Sequence, residues 1–339
     1  MYDIAIVGAG INGCSVAYEF ISAKKSVILF DIKSIAGGGS GAAGAFISPK
    51  FSKAGELKKI IDSAFTYSMK FYENNFSHLF EKSMLKHTLQ DGSETFSLEA
   101  GVVNAEAVCN ALAKGSTFIK SKVDSIYFDD GAWILNDNYM AKELVLSTGA
   151  YEQIIDEPYM KLRGIWGHRV DIKTSTENED LLHQFVSISP NKNGVISIGA
   201  THNVHYHPQK NPQAYDFEEG RKELLDKASK MLDLDNCQII KDYVGLRSGS
   251  FDYIPILGPL VISKETLANK NIHFQTKKPK YEEYEYYPHL NVINGNGGYG
   301  FVLAPYLSKK LSLNILSARP IDKQLLPARF FARWAKKLQ

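Results

Sequence analysis

Cysteine is scarce in this chain. Its 339 residues hold three, Cys14, Cys109 and Cys237, far apart and without a C-x-x-C pair. That excludes a disulfide frame and fits reduced thiols in a cytoplasmic protein. Long apolar runs are missing as well. No stretch of eighteen or more apolar residues could span a bilayer, so no membrane partner is expected. The first residues enter a strand directly, with no basic segment ahead of an apolar one, so a signal peptide is not expected. Net charge is close to nil at +2 and by itself says nothing of nucleic acid. Its distribution is less even. Residues 309–339 carry eight Lys/Arg against one acid, Asp322, a sum of +7 that leaves −5 on the first 308. A basic end on a slightly acidic body marks either an anionic partner or a solvated helical tail.

Glycine is not scarce where it matters. Tyr2-Asp3-Ile4-Ala5-Ile6-Val7 is a short apolar run that reads as a buried parallel strand. It leads into Gly8-Ala9-Gly10-Ile11-Asn12-Gly13, a helical segment from Cys14 to Ala23, and a second apolar strand, Val27 to Phe30, ending on Asp31. Strand, G-x-G-x-x-G turn, helix, strand and acid in this order form the dinucleotide fingerprint. Gly8 allows the tight turn, Gly10 lets backbone approach a pyrophosphate, and Gly13 lets helix and strand pack closely. The helix N-terminus offers free N–H groups to the phosphates, and Asp31 can accept hydrogen bonds from a ribose diol. A second glycine-rich segment follows at residues 37–45, placed to lay backbone amides along the same cofactor or to start another helix against it.

Further along, Glu56 to Phe80 has helical spacing, with a break expected near Asn74-Asn75. Residues 83–100 read as short strands and turns, and Ala105 to Ala113 as a short helix. Phe118-Ile119, Val123 to Phe128 and Trp133 to Leu135 read as a small antiparallel meander turning at Asp129-Asp130-Gly131. Glu143 to Leu146 is another buried strand, ending in Ser147-Thr148-Gly149-Ala150. His202, His205 and His207 form an H-x-x-H-x-H cluster, the last two on one face of an expected strand. No Cys or acid completes a ligand set there, so no metal site is expected. Residues 263–287, including Lys277-Lys278-Pro279-Lys280, lack a period and read as a partly mobile surface insertion. Leu290 to Ile293 is a strand, followed by Asn294-Gly295-Asn296-Gly297-Gly298-Tyr299-Gly300-Phe301 and a helix from Val302 to Leu316.

The strand ending in S-T-G-A, the segment Gly245-Leu246-Arg247 with Asp252-Tyr253-Ile254-Pro255-Ile256-Leu257-Gly258-Pro259, and Ile198-Gly199-Ala200-Thr201 carry a resemblance. Over nearly its whole length the chain resembles the D-amino-acid oxidase/glycine oxidase superfamily of FAD-dependent oxidoreductases. The resemblance implies an α/β fold. A discontinuous, Rossmann-like FAD-binding domain of glutathione-reductase type would take residues 1–82, 101–160 and 245–339. An α+β substrate domain on an antiparallel sheet would take 83–100 and 161–244. It implies non-covalent FAD, since 238–339 hold no Cys for the covalent link of sarcosine oxidases. Cofactor contacts would come from Gly8, Ala9, Gly10, Ile11, Asn12, Gly13 and Asp31, which stands where the family usually has Glu. Ser40, Gly41, Gly44, Ala45, Val123, Thr148 and Gly149 would add to them, with the Val123 backbone bonding adenine. Gly297, Gly298, Tyr299, Gly300 and Phe301 would bring a helix N-terminus to the pyrimidine edge of the flavin. Arg247 would pair with the substrate carboxylate through its planar fork; an ion pair with Asp252 is the competing assignment. Ser187 stands where glycine oxidases have a carboxylate-holding Tyr, which argues against glycine itself as substrate.

Gly41-Ala42-Ala43-Gly44-Ala45-Phe46 with Pro49-Lys50-Phe51-Ser52, Arg163-Gly164, Gly297 to Pro305 and Leu326-Pro327-Ala328-Arg329-Phe330 narrow the resemblance. They are similar to the FAD domain of bifunctional tRNA 5-methylaminomethyl-2-thiouridine biosynthesis proteins. Ala43 and Tyr299 depart from that pattern, the latter standing where Arg is common. This implies removal of the carboxymethyl group from carboxymethylaminomethyl-uridine at the tRNA wobble position. A hydride would pass to flavin N5, the imine would hydrolyse, and oxygen would reoxidise the flavin. The partners implied are tRNA, a small amine substrate, oxygen and a separate methyltransferase, because the methyltransferase domain usually fused ahead is not in this sequence. A free-standing glycine/D-amino-acid oxidase-like enzyme is the alternative, and a flavin-bound RNA-binding module without turnover is a third. The C-terminal stretch Ala328 to Lys337 interleaves basic and aromatic residues, as a tRNA-contacting surface, a membrane-surface helix or an ordinary terminal helix would.

Overall fold

The computed structural model describes residues 1–151, 153–275 and 279–338, built around two eight-stranded sheets. The first sheet starts from the most apolar stretches of the chain. Tyr2–Val7 lies between Val27–Asp31 and Tyr139–Leu146, both parallel to it. Thr117–Lys120 adds a parallel strand outside Val27–Asp31, and Tyr286–Asn294 adds one outside Tyr139–Leu146. Ile256–Val261 closes that edge antiparallel. Both faces are covered, which is why these strands read as continuous apolar runs rather than alternating ones. Alternate side chains feed two cores. Ile4 and Ile6 meet the helices Ile11–Ser22, Glu56–Phe76, Ala105–Leu112 and Gly300–Ser317, while Ala5 and Val7 face the opposite layer.

The second sheet is mostly antiparallel. Its long strands Leu162–Lys173 and Gln238–Ser250 pair along their length, and Val195–Gly199, Ser187–Ile188, Leu181–His183, Phe80–Thr88, Thr95–Val103 and Phe46–Ile47 follow in order. Pairing draws in Phe46–Ile47 and all of Gln238–Ser250, and so crosses the boundaries expected at 82/83 and 244/245.

Several local expectations are corrected. The helix Glu56–Phe76 runs unbroken through Asn74-Asn75. Asn75 Nδ2 donates to Phe71 O at 2.8 Å and its Oδ1 accepts from Tyr18 Oη at 3.1 Å, so its amide is satisfied without leaving the helix. Residues 83–100 belong to one long hairpin, in register from Phe80 opposite Val103 to Thr88 opposite Thr95. Phe118-Ile119 lies in the parallel sheet, not in the meander, which is made of Ile126–Asp129, Ala132–Leu135 and the start of Tyr139–Leu146. Its turn takes Asp130 (φ 44°) and Gly131 (φ 75°) into the left-handed region, the geometry a two-residue hairpin favours.

The expected surface insertion is also corrected. In 263–275 and 279–287, Thr266, Ile272, Phe274 and Tyr284 are buried; Lys277-Lys278 lie outside the described residues. The rings of Phe274 and Tyr284 lie 5.6 and 5.0 Å from that of Phe331. Phe331 has no exposed surface and sits in the short helix Phe331–Ala335. The C-terminal segment is therefore half core: Phe331 and Ala335 are buried, whereas Arg333, Lys336 and Lys337 are exposed. No helix among the described residues is long and apolar enough to cross a membrane. Phe331→Ala should cost about 3–5 kcal/mol of stability in urea unfolding, the usual range for a buried Phe. A loss under about 1 kcal/mol would mean that this layer is not core.

Candidate active site

The site begins at the first glycine turn. Gly8 has φ 104°, and a Cβ there would lie 2.4 Å from Ser147 O. A Cβ on Gly13 would lie 1.9 Å from Gly8 O. The turn is thus wedged between its own helix and the end of Tyr139–Leu146, and only glycine fits. Asp31 holds it from the neighbouring strand: Oδ2 accepts the Ala9 N–H and Oδ1 the Lys33 N–H, each at 2.9 Å. Each oxygen keeps a second lone pair for a ligand. Gly10 at the helix N-cap offers no side chain, so the Ile11 N–H is taken by Ser40 Oγ at 2.9 Å from the second glycine loop.

Asparagines tie the third glycine junction to the other two. Asn296 Nδ2 donates to Asn12 Oδ1 at 2.6 Å, and Asn294 Nδ2 to Gly149 O at 2.9 Å. Ser248 Oγ donates to Asn294 Oδ1 at 2.8 Å, and the Gly297 N–H to Ser248 O at 2.7 Å. Ser248, Asn294 and Asn296 were not among the expected site residues. The only trace of them was their place beside Arg247 and between glycines. Among the described residues Asn296 Oδ1 is buried without a partner, an acceptor suited to a ligand donor.

These junctions open onto one cleft of about 1000 Å³. Gly8, Gly10, Ile11, Asn12, Asp31, Ser40, Gly44, Ala45, Val123, Thr148, Gly149, Gly297, Gly298, Tyr299, Gly300, Phe301 and Arg247 line it. Ala9, Gly13 and Gly41 lie behind its wall. Ala9 is fully buried, Gly13 is packed inside the turn, and the Gly41 N–H bonds back to Ala36 O at 2.9 Å. No cysteine lines the cleft; Cys14 and Cys109 are buried in the core and Cys237 is exposed elsewhere.

Arg247 lies on Gln238–Ser250 opposite Ile165. Its guanidinium passes over Gly167, where a Cβ would come within 2.6 Å of it, and Nη1 donates to Thr201 O at 2.9 Å. The competing ion pair does not form. Asp252 binds Arg329 instead, at 2.8 and 3.0 Å. Among the described residues no carboxylate forms an ion pair with Arg247. Burial pulls its pKa below the ordinary value, yet a guanidinium stays charged in proteins.

The second sheet closes the cleft with Phe51, His87, His183 and Ser187. His183 Nδ1 lies 2.9 Å from Ser187 Oγ. Of the histidine cluster only His202 lines the cleft. His205 lies in a bend and His207 outside regular structure rather than on a strand, and among the described residues no group of His, Cys, Asp or Glu could hold a metal.

The chain is similar to known proteins in sequence and in fold. The sequence matches the FAD dependent oxidoreductase (DAO) family over residues 3–82 and 78–312. It is 24% identical over 404 residues to the tRNA 5-methylaminomethyl-2-thiouridine biosynthesis bifunctional protein MnmC of Leptospira interrogans serovar Lai, covering 98% of this chain and 61% of that one. The corresponding protein of Campylobacter concisus is 26% identical over 379 residues, with 98% and 60% covered. The chain thus spans about three-fifths of the length of these relatives. Among solved structures, glycine oxidase from Bacillus cereus superposes with a TM-score of 0.71 at 16% identity, covering 94% of this chain and 96% of that one. L-proline dehydrogenase from P. horikoshii superposes with a TM-score of 0.73 at 14% identity, covering 100% and 98%.

Burial, and next to it His87, push the His183 pKa down from 6.5 to about 4. The unfolded chain therefore binds this proton first as pH falls. The stability tied to His183 is full above about pH 6.5 and is lost as pH drops toward 4. NMR titration should find the His183 ring neutral at pH 6, and a His183→Asn variant should lose less stability between pH 6.5 and 4.

Proposed function

The chain belongs to the DAO family of FAD dependent oxidoreductases, and from that premise we propose that it oxidises a secondary amine bearing a carboxymethyl group. The carrying observation is Arg247, a half-buried guanidinium that lines the cleft with no carboxylate partner among the described residues. A partly desolvated charge without an ionic partner gains most from a ligand that neutralises it. A carboxylate is the planar, bidentate anion that the guanidinium fork fits.

The cleft suits FAD held without a covalent bond. The turn 8–13 and the Ile11–Ser22 N-terminus would face the pyrophosphate, Asp31 the ribose, the Val123 backbone the adenine, and residues 297–301 the flavin edge. FAD, when bound, supplies the acceptor for a hydride from the carbon beside the amine nitrogen. The chain's own residues bind and orient. Arg247 fixes the carboxylate, with Thr201 O holding the guanidinium and Gly167 leaving it room. The same positive charge disfavours a proton on the substrate amine, keeping its lone pair free. No side chain need act as a strong base. The products are the amine without its carboxymethyl group and glyoxylate.

The best-fitting substrate is carboxymethylaminomethyl-uridine at the wobble position of tRNA, supported by the names of the relatives and by the basic exposed end of the chain. A separate methyltransferase would then act on the amine produced. Arg247→Ala should retain FAD and lose at least about 100-fold in the rate of anaerobic flavin bleaching by N-carboxymethyl amines, the cost of a lost buried charge partner. Unchanged bleaching would remove Arg247 from the site. Arg333→Ala with Lys336→Ala and Lys337→Ala, all exposed positions, should weaken tRNA binding and lower its salt slope by about one per lost phosphate contact. An identical slope would take this end of the chain out of the tRNA surface.

A further inference from the structure

The amine-oxidase reading uses Arg247 and the three glycine junctions. It leaves unexplained a column of rings on the second-sheet side of the same cleft. Phe51 follows Phe46–Ile47, His87 lies on Phe80–Thr88, and His183 ends Leu181–His183. Strand pairing sets His87 directly beside His183 in parallel register. Phe51 and His87 stack with centroids 3.9 Å apart and planes 9° apart, and His87 and His183 lie 5.1 Å and 20° apart. All three line the cleft.

We propose that this column is a subsite for an uncharged planar heterocycle with donors and acceptors on its edge, of which the uracil ring of a nucleoside is the type. The proposal rests on the amine-oxidase reading and names the class of substrate that the site takes. Its first support is the hydrogen-bonding inventory. Among the described residues His87 Nδ1 is buried with no partner, and the side-chain bond of His183 is from Nδ1 to Ser187 Oγ. Ring nitrogens of both residues are thus left for a ligand. Burial lowers the pKa of both imidazoles, so each is neutral near pH 7 and offers one donor and one acceptor rather than a charge. An aliphatic side chain would leave those nitrogens unpaired. A second carboxylate would find no cation in the column. A base edge satisfies the nitrogens, and its flat face matches the parallel rings.

The test uses the full chain loaded with FAD and two probes that share the carboxymethyl amine. Iminodiacetate lacks a ring; the 5-carboxymethylaminomethyluridine nucleoside has one. Under anaerobic conditions the nucleoside should bleach the flavin with a KM about 10-fold or more below that of iminodiacetate, the order expected for one base–aromatic stack. Uridine alone should compete with it. His183→Asn and His87→Asn, checked for flavin content and melting temperature, should raise the nucleoside's KM toward that of iminodiacetate and so erase this preference. Equal KM values for the two probes in the unaltered protein, or no competition by uridine, would overturn the subsite and leave the amine-oxidase reading standing. If neither probe bleaches the flavin, both fall. Parallel loss toward both probes in correctly folded variants would make the column structural.

Discussion

The turn after Tyr2–Val7 is pinned from three sides, and the cleft takes its shape from that. Ser147 Oγ donates to Val7 O at 3.0 Å and to Gly8 O at 2.8 Å. Asp31 accepts the Ala9 N–H from the opposite strand, and Ser40 accepts the Ile11 N–H from the second loop. Each restraint comes from a different stretch of chain. Together they hold the free N–H end of the first helix against the ends of three parallel strands, where ligands bind in open α/β sheets. The Asn12–Asn296 bond then sets the Gly300–Ser317 helix on the same line.

Arg247 stands in contrast to three paired arginines. Arg169 is paired with Asp171, Arg221 with Asp242, and Arg329 with Asp252. Each is a compensated charge that holds loops or strands together. Arg247 has a single carbonyl, Thr201 O, and an open face toward the cleft. The folded protein carries the cost of desolvating it before any ligand arrives. Functional sites often carry such uncompensated polar groups. The imidazoles of His87 and His183 line the same cleft, and burial holds the pKa of each below its ordinary value.

Much of the cofactor side was legible in the chain because its elements are local. A glycine turn, its helix and the acid at the next strand end lie within thirty-one residues, and the Gly297–Gly300 junction is equally short. Ala9, Gly13 and Gly41 fall behind the cleft wall for one reason. A motif names a turn, but which of its atoms face outward depends on what packs behind it. Phe118-Ile119 was misread for a related reason: a short apolar strand carries no mark of whether its partner is parallel or antiparallel. The insertion looked like surface because Phe274 and Tyr284 find their partner, Phe331, some fifty residues later.

The sequence by itself determined the βαβ unit with its glycine turn, the two further glycine junctions and the singling out of Arg247, which lines the cleft. Backbone geometry at glycine and the apolar content of buried strands are short-range properties, written in consecutive residues. Only the tertiary structure decided that Arg247 is free of Asp252, that the C-terminal aromatics are core, and that Phe51, His87 and His183 stack in the cleft. Those facts depend on strand register and on which partner reaches a charge or ring first, and residues far apart in the chain settle both.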